Sequence, residues 1–386
     1  AAVYELRSGF DDTNAGFGGA PKFPPSMVLE FLLRHRERVG SAGSGAVAAE
    51  MVEATCEAMA RGGIYDQLAG GFARYSVDAH WGVPHFEKML YDNALLLRCY
   101  AHVARSGTAP LAERVTRETA SFLLRDLRTS EGGFAASLDA DTEGVEGLTY
   151  VWTPEELHEA LGDADGAWAA SVFQVTEEGN FEHGASTLRL PRDPEGWRRV
   201  RDGLLEARQR RPQPPRDDKI VTSWNGMAIT SLAEAAVTMD EPEWLAAAEA
   251  AADLLVRVHL VDGRLRRSSR DGIVGSAAGV LEDYGCFAEG LLALHQATSQ
   301  RRWLDTACTV LDTAITAFGD EEHSGVFHDT AADAERLVRR PSDPTDNASP
   351  AGASSLTSAL VTAAALAGAD RATRYRKVAE QALSRA

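Results

Sequence analysis

Apolar side chains recur along most of this chain at the spacing of helices, and the helical segments come in pairs whose two members differ. Residues 89–103 (MLYDNALLLRCYAHV) are apolar nearly all round, whereas 111–127 carry Leu111, Val115 and Phe122 on one face and Arg114, Arg117, Glu118 and Arg125 on the other. The first pattern predicts a buried helix and the second a half-exposed one. The alternation returns in 226–239 with 243–258, in 284–298 with 302–317 and more weakly in 353–367 with 371–385. An inner ring of helices inside an outer ring is the economical explanation.

After the outer helices a glycine-hinged, strand-like segment recurs: Gly70-Gly71-Phe72, Gly132-Gly133-Phe134, Asp262-Gly263-Arg264-Leu265 and Ser324-Gly325-Val326-Phe327. Gly71 and Gly133 are 62 residues apart, Gly133 and Gly263 are 130 apart, and Gly263 and Gly325 again 62. The middle interval is about two repeats long, so six units nearly fill the chain. Between 154 and 211 short helices, Thr187-Leu188-Arg189-Leu190 and a Pro-rich link at 211–215 interrupt the pattern. The expected fold is all-α, an (α/α)6 toroid of six helical hairpins with short β-hairpin insertions, with an open α-solenoid as the alternative. Residues 1–25 read as an N-terminal arm and 26–386 as a single toroid whose last hairpin is cut short.

A chain of 386 residues with 44% hydrophobic content can bury a large core. Its formal charge of −18 is spread along the chain, which argues against a nucleic-acid footprint or an anionic membrane surface and favours a neutral or cationic small ligand. Cys56, Cys99, Cys286 and Cys308 lack C-x-x-C spacing and read as small core residues in a reducing compartment. With no run of eighteen apolar residues and no basic-then-apolar leader, the expected location is cytoplasmic.

In a toroid every outer-to-inner connection falls at one end, and that is where the unusual residues lie. The run Trp81-Gly82-Val83-Pro84-His85-Phe86-Glu87-Lys88-Met89-Leu90-Tyr91-Asp92-Asn93 packs polar groups into the entrance of an apolar helix. With a helix starting near His85, the side chains of His85, Lys88 and Asp92 share one face. A buried ion-pair network, with Lys88 and Asp92 as an i, i+4 pair, is the plainer reading. Asp217-Asp218-Lys219 with Trp224-Asn225, Glu282-Asp283-Tyr284 and Asp346-Asn347 occupy corresponding places, so four distant motifs are expected to converge on one funnel. Acids before a helix also cap it whatever the function.

Asp139 and Asp141 point to one side of a strand-like stretch, about 6 to 7 Å apart by two residues of strand rise. Paired carboxylates suit glycosidic acid–base work, although that separation selects neither mechanism. Asp139-Ala140-Asp141-Thr142-Glu143-Gly144 also begins like a calcium loop, but its twelfth position is Tyr150, and a turn stabilised by Asp side chains is a further reading. No zinc-ligand spacing is present among the ten histidines, so neither a metal nor a cofactor is expected. Lys219, flanked by two acids, reads as a charged clamp. Tyr65, Trp81, Trp152, Trp224 and Tyr284 fall in or near the polar motifs and offer faces for a sugar ring, with core packing as the alternative.

The motifs Gly18-Gly19-Ala20-Pro21-Lys22-Phe23-Pro24, Gly62-Gly63-Ile64-Tyr65-Asp66-Gln67-Leu68, Arg74-Tyr75-Ser76-Val77-Asp78, the 83–93 run, Asp139 to Gly144, Tyr150-Val151-Trp152-Thr153, Asp217-Asp218-Lys219, Trp224-Asn225-Gly226 and Leu281-Glu282-Asp283-Tyr284 together resemble the YyaL-type, spermatogenesis-associated thioredoxin-domain family. The resemblance covers residues 9–355. It implies a six-hairpin glycosidase-type toroid related to N-acylglucosamine 2-epimerase, a place in carbohydrate metabolism, and a thioredoxin-like module beside the toroid that has no counterpart in this chain. The family's Asp-Gly-Ala-x-Pro-Ser-Gly-Asn-Ser stands here as Asp346-Asn347-Ala348-Ser349-Pro350-Ala351-Gly352-Ala353-Ser354, which loses the second asparagine.

These readings lean towards an enzyme on a small sugar, an epimerase or isomerase or a glycosidase. The candidate proton-transfer groups are His85, Glu87, Asp139, Asp141 and Asp218. Tyr65, Asp66, Trp81, Lys88, Asp92, Asn93, Trp152, Lys219, Trp224, Asn225, Glu282, Asp283 and Tyr284 are the candidate substrate contacts. His328 is the second histidine with a place in an epimerase, and a non-catalytic toroid that binds a sugar or a protein is the alternative.

Overall fold

Residues 1–105, 109–335 and 338–385 are described by the structure, a computed structural model. The chain divides into two compact units, Ala1–Asp126 with Ser137–Asp217 and Leu127–Ala136 with Asp218–Ala386.

In the first unit, α1 (Ala2–Ser8) lies on α3 (Ser44–Arg61), which forms a hairpin with α2 (Ser26–Val39). The next hairpin joins α4 (Leu90–Ala104) to α5 (Pro110–Phe122), with α2 packed on α4 and α3 on α5. Helix α4 is buried nearly all round and α5 on one stripe, as their patterns predict. Pro110 stands in the first turn of α5, where the missing N–H costs no helical bond. Helices α6 (Pro154–Leu161), α7 (Asp163–Phe173) and α8 (Trp197–Gln209) fill the irregular stretch around their own core of Trp152, Leu157, Phe173, Leu190, Trp197 and Leu204. A capping box of Thr153 and Glu156 starts α6.

The second unit holds three hairpins, α9 (Thr222–Met239) with α10 (Pro242–Leu254), α11 (Leu281–Thr298) with α12 (Arg301–Phe318), and α13 (Gly352–Leu366) with α14 (Ala369–Leu383). Helices α9, α11 and α13 lie side by side as its buried layer. Glycine makes the approach possible, because a Cβ on Gly226 would lie 2.6 Å from the Cys286 carbonyl group. All four cysteines are free thiols in these cores. Among the described residues no helix is long and apolar enough to cross a membrane.

One clamp recurs at the start of the buried helices. The fourth residue of α4, Asn93, accepts the Phe72 N–H at 2.7 Å and donates to the carbonyls of Phe72 at 3.0 Å and Met89 at 2.8 Å. Asn225, the fourth residue of α9, does the same with Phe134 N–H at 2.8 Å and the carbonyls of Phe134 and Val221, both at 3.0 Å. On α11 that position is Tyr284, whose hydroxyl accepts the Leu265 N–H at 2.9 Å. Phe72, Phe134 and Leu265 close three of the four glycine hinges, so each clamp ties its hinge to the helix that follows it.

The expected helix start near His85 is not observed. Pro84-His85 and Lys88-Met89 are short strands and the helix begins at Leu90, because residues 84–89 are drawn into antiparallel pairs with Tyr75-Ser76 and Ser137-Leu138. The i, i+4 pair of Lys88 with Asp92 is absent for the same reason.

Replacing Asn225 by Ala strands the Phe134 N–H and two carbonyls in a dry interior, and Asn93→Ala does likewise at Phe72. Each is expected to cost about 2–3 kcal/mol in urea unfolding. A loss under about 0.5 kcal/mol would show that the clamps are dispensable.

Candidate active site

The strands that replace the expected helix set the geometry. Tyr75 and His85 are register partners, so their rings lie on one side and stack with centroids 5.0 Å apart. Phe23, 47% exposed, packs on Tyr75 at 4.9 Å. The His85 Nδ1 lies 2.7 Å from Glu146 Oε1, and its Nε2 is 4.0 Å from Glu87 Oε2. With a carboxylate accepting at Nδ1, the neutral ring carries its proton there and leaves Nε2 as an acceptor. Glu146 reaches this place from a hairpin in which Asp141 faces Glu146, closed by Glu143 and Gly144 at φ +54° and +79°.

Glu87 in turn is paired with Arg74 at 3.1 Å, and the Arg74 backbone N–H donates to the Glu87 carbonyl at 2.8 Å. Behind this pair sits Asp92, 7% exposed, with Oδ2 buried and unpartnered. Burial pushes its carboxyl well above the usual carboxylate range; Arg74 pulls it down and Glu87 pushes it further up. Asp92 is therefore a carboxyl whose charged form is disfavoured, beside a carboxylate–guanidinium pair. The neighbouring Tyr91 hydroxyl is pushed up to about 12, chiefly by burial.

Lys88 goes elsewhere. Its Nζ donates to Asp66 Oδ2 at 2.7 Å and to the Gly70 carbonyl at 3.1 Å, while Arg208 takes Asp66 Oδ1 at 2.8 Å. Burial works against the charge on Asp66, but Arg208 and Lys88 outweigh it and hold this carboxyl far below its usual range.

The second unit carries a related group. Asp283 accepts from Arg267 at 2.7 Å and from the Ser223 and Val280 N–H groups, both at 2.9 Å. Burial pushes its carboxyl up to about 6 even against Arg267. Glu282 also pairs with Arg267, at 3.2 Å, and accepts from Ser349 at 3.2 Å. The correspondence with the first unit is positional. Arg74 and Arg267 each stand two residues after a hinge residue, and Asp92 and Asp283 each stand third in the following buried helix. In the hinge that ends at Phe134 those places hold Ala136 and Trp224.

The other candidates are more dispersed. Asp139 and Asp141 are exposed and share no continuous strand; Asp139 Oδ1 instead accepts the Asp141 N–H at 3.0 Å, forming a turn. Tyr65 is buried and donates to Glu118 at 2.6 Å. Trp81 is buried under the Lys22 ammonium and donates to the Asn14 carbonyl at 3.0 Å, and Trp152 is buried beneath Arg211. Asn93, Asn225 and Tyr284 serve the hinge clamps. Asp218 and Trp224 are half-buried and Lys219 is exposed. His328 pairs with Asp320 at 2.9 Å. Among the described residues no three His, Cys, Asp or Glu side chains are grouped to hold a metal.

Four charged side chains of these groups were not among the sequence candidates for the site: Arg74, Glu146, Arg208 and Arg267. Aligning the hinges would have exposed Arg74 and Arg267, and the Glu143-Gly144 turn would have exposed Glu146. No local signal marks Arg208.

Human spermatogenesis-associated protein 20 is 31% identical over 395 residues, covering 90% of this chain and 50% of that protein. An uncharacterized protein of Caenorhabditis elegans is also 31% identical, over 394 residues, covering 90% of this chain and 54% of its own. The chain is homologous to spermatogenesis-associated protein 20. It spans about half the length of the curated relatives it matches. No family model matches it. Among solved structures, a D-mannose isomerase superposes with a TM-score of 0.60 at 10% identity, covering 99% of this chain and 84% of the other. The unsaturated glucuronyl hydrolase of Bacillus sp. GL1 gives 0.56 at 11%, covering 99% and 80%. A glycoside hydrolase family 76 α-mannanase of Bacteroides thetaiotaomicron gives 0.55 at 11%, covering 99% and 81%. At such identities the likeness shows the fold: all-α, of the six-hairpin (α/α)6 toroid class with small sheet insertions, which carbohydrate-active enzymes use.

Asp66 and Asp92 should respond oppositely to loss of charge. Asp66→Asn leaves Lys88 and Arg208 facing a neutral group and is expected to cost about 3 kcal/mol at pH 7. The stability Asp66 contributes is present above its unfolded pKa and lost as pH falls below it. Asp92→Asn removes a carboxyl whose charge the fold disfavours and should therefore stabilise the fold at pH 7, provided the amide packs in the same place. Because the Asp92 carboxyl is raised in the folded state, the wild type loses stability relative to Asp92→Asn as pH rises towards that raised value. Urea titrations at pH 5.5, 7 and 9 check both signs.

Proposed function

We propose that the chain is a carbohydrate-active enzyme that isomerises or epimerises a small sugar, with His85 as the proton-transfer base. The observation that carries this reading is the 2.7 Å contact of Glu146 with His85 Nδ1, which fixes the ring and leaves Nε2 facing Glu87. A base held by an orienting carboxylate is the arrangement that general base catalysis requires. The Nε2 lone pair takes a proton from the carbon beside the sugar carbonyl, and the imidazolium so formed is stabilised by Glu146 and Glu87. Arg74, half-exposed beside Glu87, is placed to receive the enolate oxygen. Asp92, whose charged form burial disfavours, lies behind the pair, where a second negative charge near that oxygen is opposed.

Two features support a sugar as the substrate. The Phe23–Tyr75 stack offers an exposed apolar face beside the base, suited to the C–H face of a pyranose. The fold is shared with enzymes named for mannose, glucuronyl and mannan substrates. Hydrolysis by two opposed carboxylates fits less well, since Asp139 and Asp141 are exposed turn residues. A non-catalytic sugar-binding toroid would use the same aromatic stack without turnover.

Incubating the chain in deuterated water with aldoses and ketoses should place deuterium at the carbon next to the carbonyl for at least one sugar. His85→Asn should lower that exchange by about 10² to 10⁴ with KM changed far less, and Glu146→Gln should reduce it and displace its pH profile. Binding without exchange selects the non-catalytic toroid, and full exchange in His85→Asn removes histidine from the chemistry.

A further inference from the structure

The first unit contains a polar cavity away from the His85–Glu87 group. Lys88, Leu138 and Arg216 are register partners across three antiparallel strands, so their side chains leave one face of that small sheet in a row. That face borders a cavity of about 480 Å³, whose other lining includes Phe122, Tyr150 and Arg208. The volume is within the range of sites that hold monosaccharide-sized ligands.

Its charge is opposite to that of the chain. Lys88 and Arg208 line it on either side of Asp66, and Arg125 and Arg216 line it beside Asp126, in a molecule of net charge −18. Arg125 is paired with Asp126 and donates to the Ala69 carbonyl at 3.0 Å, and Arg216 donates to the Asp126 carbonyl at 3.0 Å. Asp66 cannot offset both Lys88 and Arg208. Its oxygens already accept Lys88, Arg208 and the N–H groups of Leu68 and Ala69, at 2.7 to 3.1 Å. Two buried cations on one carboxylate leave a net charge in a poorly solvated place, which costs free energy unless an anion arrives. Lys88 and Arg208 also lie 5.0 and 5.3 Å from the Tyr150 ring, which holds them over the cavity wall.

We propose that this cavity binds the oxyanion head, phosphoryl or carboxylate, of a sugar-sized molecule. The site is distinct from the His85–Glu87 group and does not depend on its chemistry. The acidic net charge favours neutral or cationic ligands for the surface as a whole, but locally the field has the other sign.

Calorimetric titration of the full chain with glucose 6-phosphate, glucuronate, inorganic phosphate and glucose tests this. At least one of the three anions should bind and glucose should not, and a tenfold rise in salt should weaken binding at least threefold. Phosphate-bearing ligands binding alone identify a phosphoryl site, and glucuronate alone a carboxylate site. The double variant Arg125→Gln/Arg216→Gln should weaken binding at least tenfold. Gln209→Glu, on an exposed lining residue, brings a negative charge to the cavity and should do the same if the double variant unfolds. Glu146→Gln should leave anion binding unchanged. Failure of all three anions to bind, or equal affinity in both cavity variants, overturns the proposal.

Discussion

The hydrogen bonds from the fourth residue of a buried helix to the hinge before it hold each local arrangement in place. A glycine-hinged turn has free backbone groups and no regular partner for them, and an interior cannot leave such groups unpaired. Asn93 and Asn225 solve this with one amide each, accepting an N–H and donating to two carbonyls, and Tyr284 makes the shorter version with its hydroxyl. Once a hinge is tied to its helix, the residue two positions after the hinge and the residue before the clamp are brought to the helix entrance together. In two hinges those residues are an arginine and an aspartate, Arg74 with Asp92 and Arg267 with Asp283. The polar group at the helix entrance is thus a by-product of how the frame is closed.

The same economy explains why three buried aspartates behave differently. Asp66 meets two cations and is held far below the usual carboxylate range; Asp283 meets one and is pushed up to about 6; Asp92 has Arg74 nearby but no partner for Oδ2 and is pushed well above that range. Burial acts on all three in one direction, so the count and closeness of the cations decide the outcome. Disfavouring charge on Asp92 behind Glu87 keeps the carboxylates beside His85 to Glu146 and Glu87.

Much of the frame was legible because it follows from periodicity. The buried and half-exposed patterns of 89–103 and 111–127, and the 62-residue interval between hinge glycines, appear as α4, α5 and the hinges. The site was less legible. Asn93 and Asn225 look alike as ligand contacts, caps or clamps, since an amide in a first turn suits all three, and only the backbone of Phe72 and Phe134 decides. Lys88 and Asp92 have the spacing of a helical pair, but strand pairing at Pro84-His85 and Lys88-Met89 turns Lys88 towards Asp66, 22 residues away. Glu146 was hidden because a carboxylate on a hairpin gains meaning only through cross-strand register. Asp139 and Asp141 kept the plainer of their readings in geometry, a turn held by an Asp side chain.

Hydrogen exchange resolved to single amides tests the central claim most directly. The Phe72 and Phe134 N–H groups sit in isolated β-bridges after glycine hinges, outside any helix or extended sheet, yet each is bound by a buried amide oxygen. The account expects both to exchange as slowly as the middle of α4 and α9, and expects Asn93→Ser to release Phe72 while leaving Phe134 protected. Rapid exchange of both amides in the wild type would contradict it.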